Sequence, residues 1–349
     1  MVEWKKLGEV CEVLRGKRLT KSQLNEHEGY PVLHGGSTPM GYYKEFNRKA
    51  NTTVVVNTGN AGSVFFYDKE FWSSDACFSL YPNETIIDKF LYLYVYGCER
   101  ILKGKIRAGA MPTIDANAIE NLVIPIPSLI VQQRIVEQLD TFTSSIENLK
   151  EQISQRRKQY EYYRDQLFDL EGKEGVERKK LGDICYNLDY MRKPITSSKR
   201  KGGIFPYYGA SGIVDYVEGY IFDGDYLLVS EDGANLVTRT YPIAFSIKGK
   251  NWVNNHAHVL AFDSQITQKY VKIYLNMIDL SPWINGAAQP KLNQANLNTI
   301  DIPVPPLSAQ QRIVSILDTF EASINNLEQQ LAQREKQYEY YRNKLLNFN

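Results

Sequence analysis

Apolar residues recur along 135–167 in alternating steps of four and three. They are Ile135, Leu139, Phe142, Ile146, Leu149 and Ile153, then Tyr160, Tyr163 and Leu167 after a slot taken by Arg156. The pattern returns as Ile313, Leu317, Phe320, Ile324, Leu327 and Leu331, then Tyr338, Tyr341 and Leu345, with Arg334 in the same irregular slot. A seam of this kind, uninterrupted by Gly or Pro and set among Gln, Glu, Lys and Arg, predicts two long helices over 131–168 and 309–347, each ~57 Å at ~1.5 Å per residue. Pro127 and Pro306 precede them, and Ser128 and Ser308 are the candidate N-caps. Ser308 with Gln311 fits a capping box, whereas Ser128 with Val131 does not.

Outside the helices the period shortens. TTVVV (52–56), SVFFY (63–67), YLLVS (226–230) and PIAFSI (242–247) read as strands. HGGSTPMG (34–41), NTGNAGS (57–63), FDGD (222–225) and SEDGAN (230–235) read as turns. Amphipathic helices are expected at 88–102 and 267–278.

The chain is a duplication. VEWKKLGEVC (2–11) matches VERKKLGDIC (176–185), and IPIPSLIVQQRIVEQLDTF (124–142) matches IPVPPLSAQQRIVSILDTF (302–320). KQYEYYRDQLF (158–168) matches KQYEYYRNKLL (336–346) at the same offset of 178. The segments between align poorly, apart from an echo of IRAGAMPTIDANAIENLVI (106–124) in INGAAQPKLNQANLNTIDI (284–302). So long a period means a two-fold domain duplication and not a solenoid. One helix alone cannot bury such a seam, so the two copies are expected to pair, antiparallel if a two-fold axis relates them. The fold class is therefore mixed α+β: two α/β domains separated by a two-helix antiparallel coiled coil, with an internal pseudo-two-fold duplication. The boundaries are 1–130, a helix at 131–169, 170–308 including the linker LEGKEGVERK, and a helix at 309–349.

Composition narrows the function mainly by exclusion. With 41 basic against 40 acidic residues, any electrostatic footprint must be local. Tyrosine, at 24 residues, is the clear excess. MVEWKKLGEV lacks the apolar core of a signal peptide, and no apolar run reaches the ~18–20 residues of a membrane span, so a cytoplasmic chain is expected. The cysteines Cys11, Cys77, Cys98 and Cys185 form no CxxC pair and read as small buried hydrophobes. No phosphate-binding GxxxxGK[ST], dinucleotide GxGxxG, [DN]PP[FYW] or GxSxG motif is present. His256 and His258 on one strand would face the same way, but with no third ligand nearby they read as ordinary histidines rather than a metal pair. Basic clusters recur in both halves: RGKRLTK (15–21), KGKIR (103–107), MRK (191–193), SSKRK (197–201) and KGK (248–250). Several such clusters in loops point to phosphate contact.

Taken together, the WKKLGEVC and RKKLGDIC starts, the AGAMPTI (108–114) and GAAQPKL (286–292) closings and the IPIPSLIVQQRIV and IPVPPLSAQQRIV lead-ins resemble the specificity subunits of type I restriction–modification systems, over essentially the whole chain. The resemblance implies a DNA target-recognition domain in each half and the repeated helices as spacers. It also implies two methyltransferase subunits and restriction subunits as partners. Adenine methylation with S-adenosylmethionine, and ATP- and Mg-dependent translocation, would reside on those partners, with no cofactor, metal or catalytic residue here. On this reading the chain binds double-stranded DNA at a bipartite, asymmetric target with half-site centres ~34 Å apart. The candidate DNA contacts are Lys17, Arg18, Lys21, Lys105, Arg107, Arg192, Lys193, Lys199, Arg200, Lys201, Gln289 and Lys291, through phosphates and major-groove edges. The tyrosines of the repeated blocks should close the helix pair, with Tyr162 and Tyr340 pointing off the seam. Two alternatives stand beside this reading: a nuclease or methyltransferase with a divergent site, and a coiled-coil adaptor without DNA. An adaptor gives no reason for divergent middles between fixed ends.

If the helices are spacers, deleting one heptad from either should change the number of unread base pairs and leave both half-sites as they were. Mapping the methylated motif of the deletion variant with its partner subunits checks this; a change in the half-site bases themselves would refute the division of labour.

Overall fold

The computed structural model describes residues 2–36, 38–107, 109–286 and 289–348, so Ser37 of HGGSTPMG, Ala108 of AGAMPTI, and Ala287 and Ala288 of GAAQPKL lie outside the described residues. Packing does not follow the boundaries expected from the sequence. Each globular half takes in pieces of both long helices: one compact unit is Met1–Glu151 with Glu328–Asn349, the other Gln152–Leu327.

The long helices are Leu129–Phe168 and Leu307–Leu345. Within unit 1 they run antiparallel, since Phe142 stacks on Tyr341 (ring centroids 5.3 Å apart) while Lys150, further along, meets Glu335 at 3.5 Å. Unit 2 repeats this: Tyr163 stacks on Phe320 at 5.3 Å, and the Tyr160 hydroxyl donates to Glu321 at 3.4 Å. The irregular slot now has a reason. Arg334 lies over the Phe142 ring at 5.7 Å and Arg156 over Phe320 at 5.8 Å, a cation–π contact that an apolar residue could not make.

Of the seam residues, Ile135, Leu139, Ile153, Ile313 and Leu317 are buried. Phe142, Ile146, Leu149, Tyr160, Leu167, Phe320, Ile324, Leu327, Leu331, Tyr338 and Leu345 are half-buried, as expected where only two helices share a seam. Tyr163 and Tyr341 remain exposed at their edges despite stacking. Tyr338 and Tyr160 pack against the cores of units 1 and 2 respectively, while Tyr162 and Tyr340 are 63% and 60% exposed.

The helix starts differ from the capping-box expectation. The second helix begins at Leu307, with Ala309 and Gln310 donating to the Pro306 carbonyl, so Ser308 lies inside the first turn and cannot cap it. Ser128, whose carbonyl accepts from Val131 and Gln132, does hold the cap position in the first copy. The work of the repeated QQR falls to its first residue. Gln132 is fully buried; its Nε2 donates to the carbonyls of Thr85 (2.9 Å) and Pro127 (2.8 Å), and its Oε1 accepts from the Ile87 amide (2.9 Å). Gln310 donates to the Pro305 carbonyl at 2.9 Å, but its buried Oε1 finds no partner among the described residues.

The other repeated motif is equally structural. Leu7 and Leu181 are fully buried, and their amides donate to the carbonyls of Leu122 and Ile300. A Cβ on Gly8 would meet the Glu120 side chain at 3.0 Å, and one on Gly182 the Asn298 side chain at 3.0 Å. KKLGE and KKLGD thus let a short helix approach another closely. Cys11 and Cys185, equivalent in the repeat, have thiols pushed up to about 12 by burial, and all four cysteines are free.

In unit 1 an antiparallel four-stranded sheet orders Cys11–Arg15, Cys77–Pro82, Thr52–Val56 and Val64–Tyr67, beside a three-stranded one of Tyr42–Tyr43, Tyr30–Leu33 and Trp72–Ser73. In unit 2 six strands form one sheet: Tyr186–Asn187, Ala257–Ala261, Phe222–Ser230, Ala244–Val253, Gly202–Gly209 and Gly212–Val217. FDGD is therefore strand and not turn, with Gly224 opposite Gly249 in the ladder. Helices Asp88–Gly97 and Gln265–Met277 cover the sheets. The first stops at Cys98 and resumes as Glu99–Lys103, where one helix was expected to run on.

Unit 2 also buries a cluster of charges. His258, 1% exposed, faces Asp189 through Nδ1 (2.5 Å) and donates from Nε2 to the Leu292 carbonyl (2.7 Å). Arg192 bridges Glu231 (2.6 Å) and Asp189 (3.3 Å), and Lys291 reaches Glu231 at 3.1 Å. Burial pushes both carboxyls up. Against that, His258 and the Val259 amide, with Arg192, hold Asp189 below its ordinary value, and Arg192, His258 and Lys291 do the same for Glu231.

Two predictions follow from this packing. Q132A should cost about 2–3 kcal/mol, because buried partners lose their bonds, and Q310A about 1 kcal/mol. Urea unfolding of the two variants compares them, and equal losses would contradict the assignment. A carboxylate held below its unfolded value stabilises the fold fully above about pH 4, and that contribution disappears as pH falls through the depressed value. The drop in melting temperature on acidification should therefore be shallower in D189N than in the parent; an unchanged slope would rule the cluster out as its source.

Candidate nucleic-acid interface

The middles that align poorly in sequence share one skeleton. Trp72 pairs with Val32 in a parallel ladder, and Trp252 with Tyr207. Each indole N–H then donates to a lysine carbonyl: Trp72 to Lys17 (2.7 Å), Trp252 to Lys193 (2.5 Å). Asn57 donates to the Ala76 carbonyl and accepts from the Ile114 amide, just as Glu231 donates to His256 and accepts from Leu292. Thr113 bridges both Thr58 and Arg107, and Lys291 bridges both Asp232 and Asn285. The two units differ in the sheet, where the ten-residue strand Ala244–Val253 spans what unit 1 divides between Val64–Tyr67 and Trp72–Ser73.

These bonds gather loops from distant parts of each half. In unit 1 the Lys17 amide donates to Ser73, the Ser74 hydroxyl meets His34 Nδ1 at 2.9 Å, and Gly35 lies against Thr58. Gly35 has φ +69° and a Cβ there would stand 2.7 Å from the Thr58 carbonyl, so only glycine fits. Thr58 continues to Thr113 and Arg107. In unit 2 the path runs from Lys193 and Trp252 through Asn254, which donates to the Tyr208 carbonyl. It goes on to Ser230, whose hydroxyl donates to Ala210 at 2.5 Å, and then to Glu231, Asp232, Lys291 and Asn285. Each unit thus presents one edge of loops with hydroxyl, amide, backbone and basic groups, the chemistry that meets phosphates and base edges.

Most basic residues singled out in the sequence lie in these or adjoining loops. Lys17, Arg18, Lys21, Lys105, Lys193, Lys199, Lys201 and Gln289 are exposed. Arg107 is exposed but paired with Asp115, and Lys291 is half-exposed while bound to Glu231. Two do not fit the expectation of free loop cations. Arg192, with its side chain 13% exposed, is closed in by Asp189, Glu231 and the Ala257 carbonyl. Arg200 lies over the Tyr207 ring at 4.6 Å, donates to the Ile195 carbonyl and pairs with Asp215. Both hold the fold of their loop. The histidines part company: His256 sits in the turn before the strand and meets Asp232 at 2.8 Å, while His258 turns inward. Asp189, Glu231 and His258 come within 4.8 Å of one another, but the chain's own Arg192 and Lys291 and the Leu292 carbonyl already satisfy them.

Sequence reasoning missed Trp72, Trp252, Thr58, Asp232, Thr113 and Asn285. Thr113 and Asn285 lie in segments whose 178-residue echo was visible, and alignment of Arg107 on Asn285 and Thr113 on Lys291 was the available signal. The tryptophans, 180 positions apart, carried none.

Among the described residues no helix is long and apolar enough to cross a membrane. A family model for the type I restriction modification DNA specificity domain matches residues 1–156 and again 173–335. The chain is 42% identical to the putative type I restriction enzyme specificity subunit S.HindORF215P of Haemophilus influenzae over 51% of its own length and 48% of that protein's, so it spans about half of that relative. It is 28% identical to the EcoR124I/EcoR124II specificity subunit of Escherichia coli over 99% of this chain and 94% of that one. The crystal structure of the type I system S subunit from M. genitalium superposes with a TM-score of 0.73 over 100% of this chain and 97% of that one; at 18% identity the likeness concerns the fold. With the domain matched once in each half, the chain belongs to the type I restriction–modification DNA specificity family.

Proposed function

We propose that each unit reads one half of a bipartite, asymmetric DNA target. The chain would act as the non-catalytic subunit that brings two methyltransferase subunits, and through them restriction subunits, to that target in the cytoplasm. S-adenosylmethionine, ATP and Mg would be handled by the partners. One observation carries the reading: equivalent positions on one skeleton hold different chemistry. Thr58, Thr113 and Arg107 in unit 1 answer to Asp232, Lys291 and Asn285 in unit 2. A constant frame with exchanged hydrogen-bonding groups is what two different half-sites require. An adaptor would need the frame but not the exchange.

The test is to co-express the chain with the methyltransferase and restriction genes beside it and map methylated adenines. A two-part motif is expected, and replacing unit 2's loops by those of a relative should change one part only. A continuous motif, or none, would refute the reading. On that background, K17A with R18A should weaken binding to all sequences alike and lower the salt slope by about one for each phosphate no longer neutralised. N285A should instead relax one position of one half-site, by about 1–3 kcal/mol of discrimination. Equilibrium binding at several salt concentrations separates these effects; the reverse pattern would exchange the two roles.

A further inference from the structure

Among the described residues, the charged cluster of unit 2 has no counterpart in unit 1. In the strand ladder His258 lies opposite Val229, and the matching pair in unit 1 is Phe78 opposite Val55. Phe78 is 5% exposed within an apolar core, and Asn57 stands where Glu231 stands. A phenyl ring therefore fills this place in the fold without charge. Burying a histidine, two carboxylates and an arginine costs desolvation that an apolar side chain does not incur, so packing alone gives no reason for the cluster.

Its connections give one. The His258 Nε2 bond ends on the carbonyl of Leu292, the residue after Lys291, and a carbonyl can only accept, so Nε2 carries a proton. Glu231 holds the same loop twice more, by its backbone carbonyl to the Leu292 amide (2.8 Å) and by its carboxylate to Lys291. Asp189 and Arg192 fix these two. Asp189 orients the His258 ring through Nδ1 and is itself held by the Val259 amide (2.9 Å) and Arg192. Arg192 also clamps Glu231 and the Ala257 carbonyl. The loop so held bears Gln289, Lys291 and, across the bridge, Asn285.

We propose that His258 is a positioning residue for the DNA-reading segment 289–292 and for Asn285 bridged to it, holding them through the Leu292 carbonyl so that unit 2, and not unit 1, depends on a buried ionic latch to read its half-site. The inference rests on the bipartite-reading function proposed above. No metal or further ligand enters it; the class of ligand is the duplex half-site assigned to unit 2.

The test uses the full chain co-expressed with its partners, with methylated motifs mapped for the parent, H258F and H258Q. H258F copies the residue of unit 1 and removes both bonds. It should loosen discrimination about 10-fold in the half-site that changes when unit 2's loops are exchanged, and leave the other half unchanged. H258Q, whose amide can still donate to Leu292, should recover most of the loss, which general damage to unit 2 would not allow. If H258F does not fold, E231Q makes the same measurement and must relax the same half. Unchanged discrimination, equal loosening of both halves, or no recovery by H258Q overturns the proposal. A parent chain without a two-part motif is a separate outcome: it refutes the underlying function, and the latch with it.

Discussion

A forty-residue amphipathic helix has nowhere to put its apolar seam unless a second such helix lies along it, and this constraint shapes the rest of the chain. Gene duplication supplies the second helix from the same sequence. Antiparallel pairing then sets the end of each helix beside the start of the other. That is why Tyr341 meets Phe142 and Tyr163 meets Phe320, pairs related by the repeat itself. It is also why the units are not the sequence halves: residues 328–349 return to complete unit 1. The arginine in the seam, a flaw by the heptad rule, serves the same pairing through the phenylalanine face.

The repeated motifs are anchors for this arrangement. KKLG packs one short helix on another, IPIP and IPVP pair with the first strand of their unit, and the buried glutamine fastens the long helix at its first turn. Their apolar and amide side chains are spent on packing and on bonds within the fold. Fixed ends and divergent middles are thus two consequences of one division: anchors must keep their volumes and bonds, whereas a loop edge needs only its backbone path. The path survives in hydrogen bonds that sequence comparison cannot see, such as Asn57 and Glu231 bonding alike through main-chain atoms while differing in side chain.

What was legible in the sequence follows the same line. The long helices, the duplication and the strands at Thr52–Val56 and Val64–Tyr67 show in the hydrophobic period because burial selects it directly. Ser308 misled because the cap rule is local, whereas the helix start is set by Gln310 and Pro306. FDGD misled because a Gly-Asp pair reads as a turn, yet here it lies opposite KGKN, whose own Gly249 takes φ +73°. Arg192 and Arg200 show a different limit of the sequence. A basic residue in a loop has the same composition whether it faces solvent or a carboxylate, and only the fold brings Asp189, Glu231 and Asp215 to them.

The asymmetry between Phe78 and His258 shows how far such a duplication can diverge without losing its frame. Each charge in the cluster is tolerable only because the others are present: remove Arg192, and Glu231 keeps Lys291 but loses its shortest bond; remove Asp189, and His258 loses the partner that orients it. The half-exposed Lys291 closes the network on its outer side, where its ammonium reaches the buried Glu231 at 3.1 Å. In unit 1 the equivalent positions, Thr113 and Asn57, carry no charge. With no charge at those positions to pair with, an ionised side chain in place of Phe78 would be buried there without its partner.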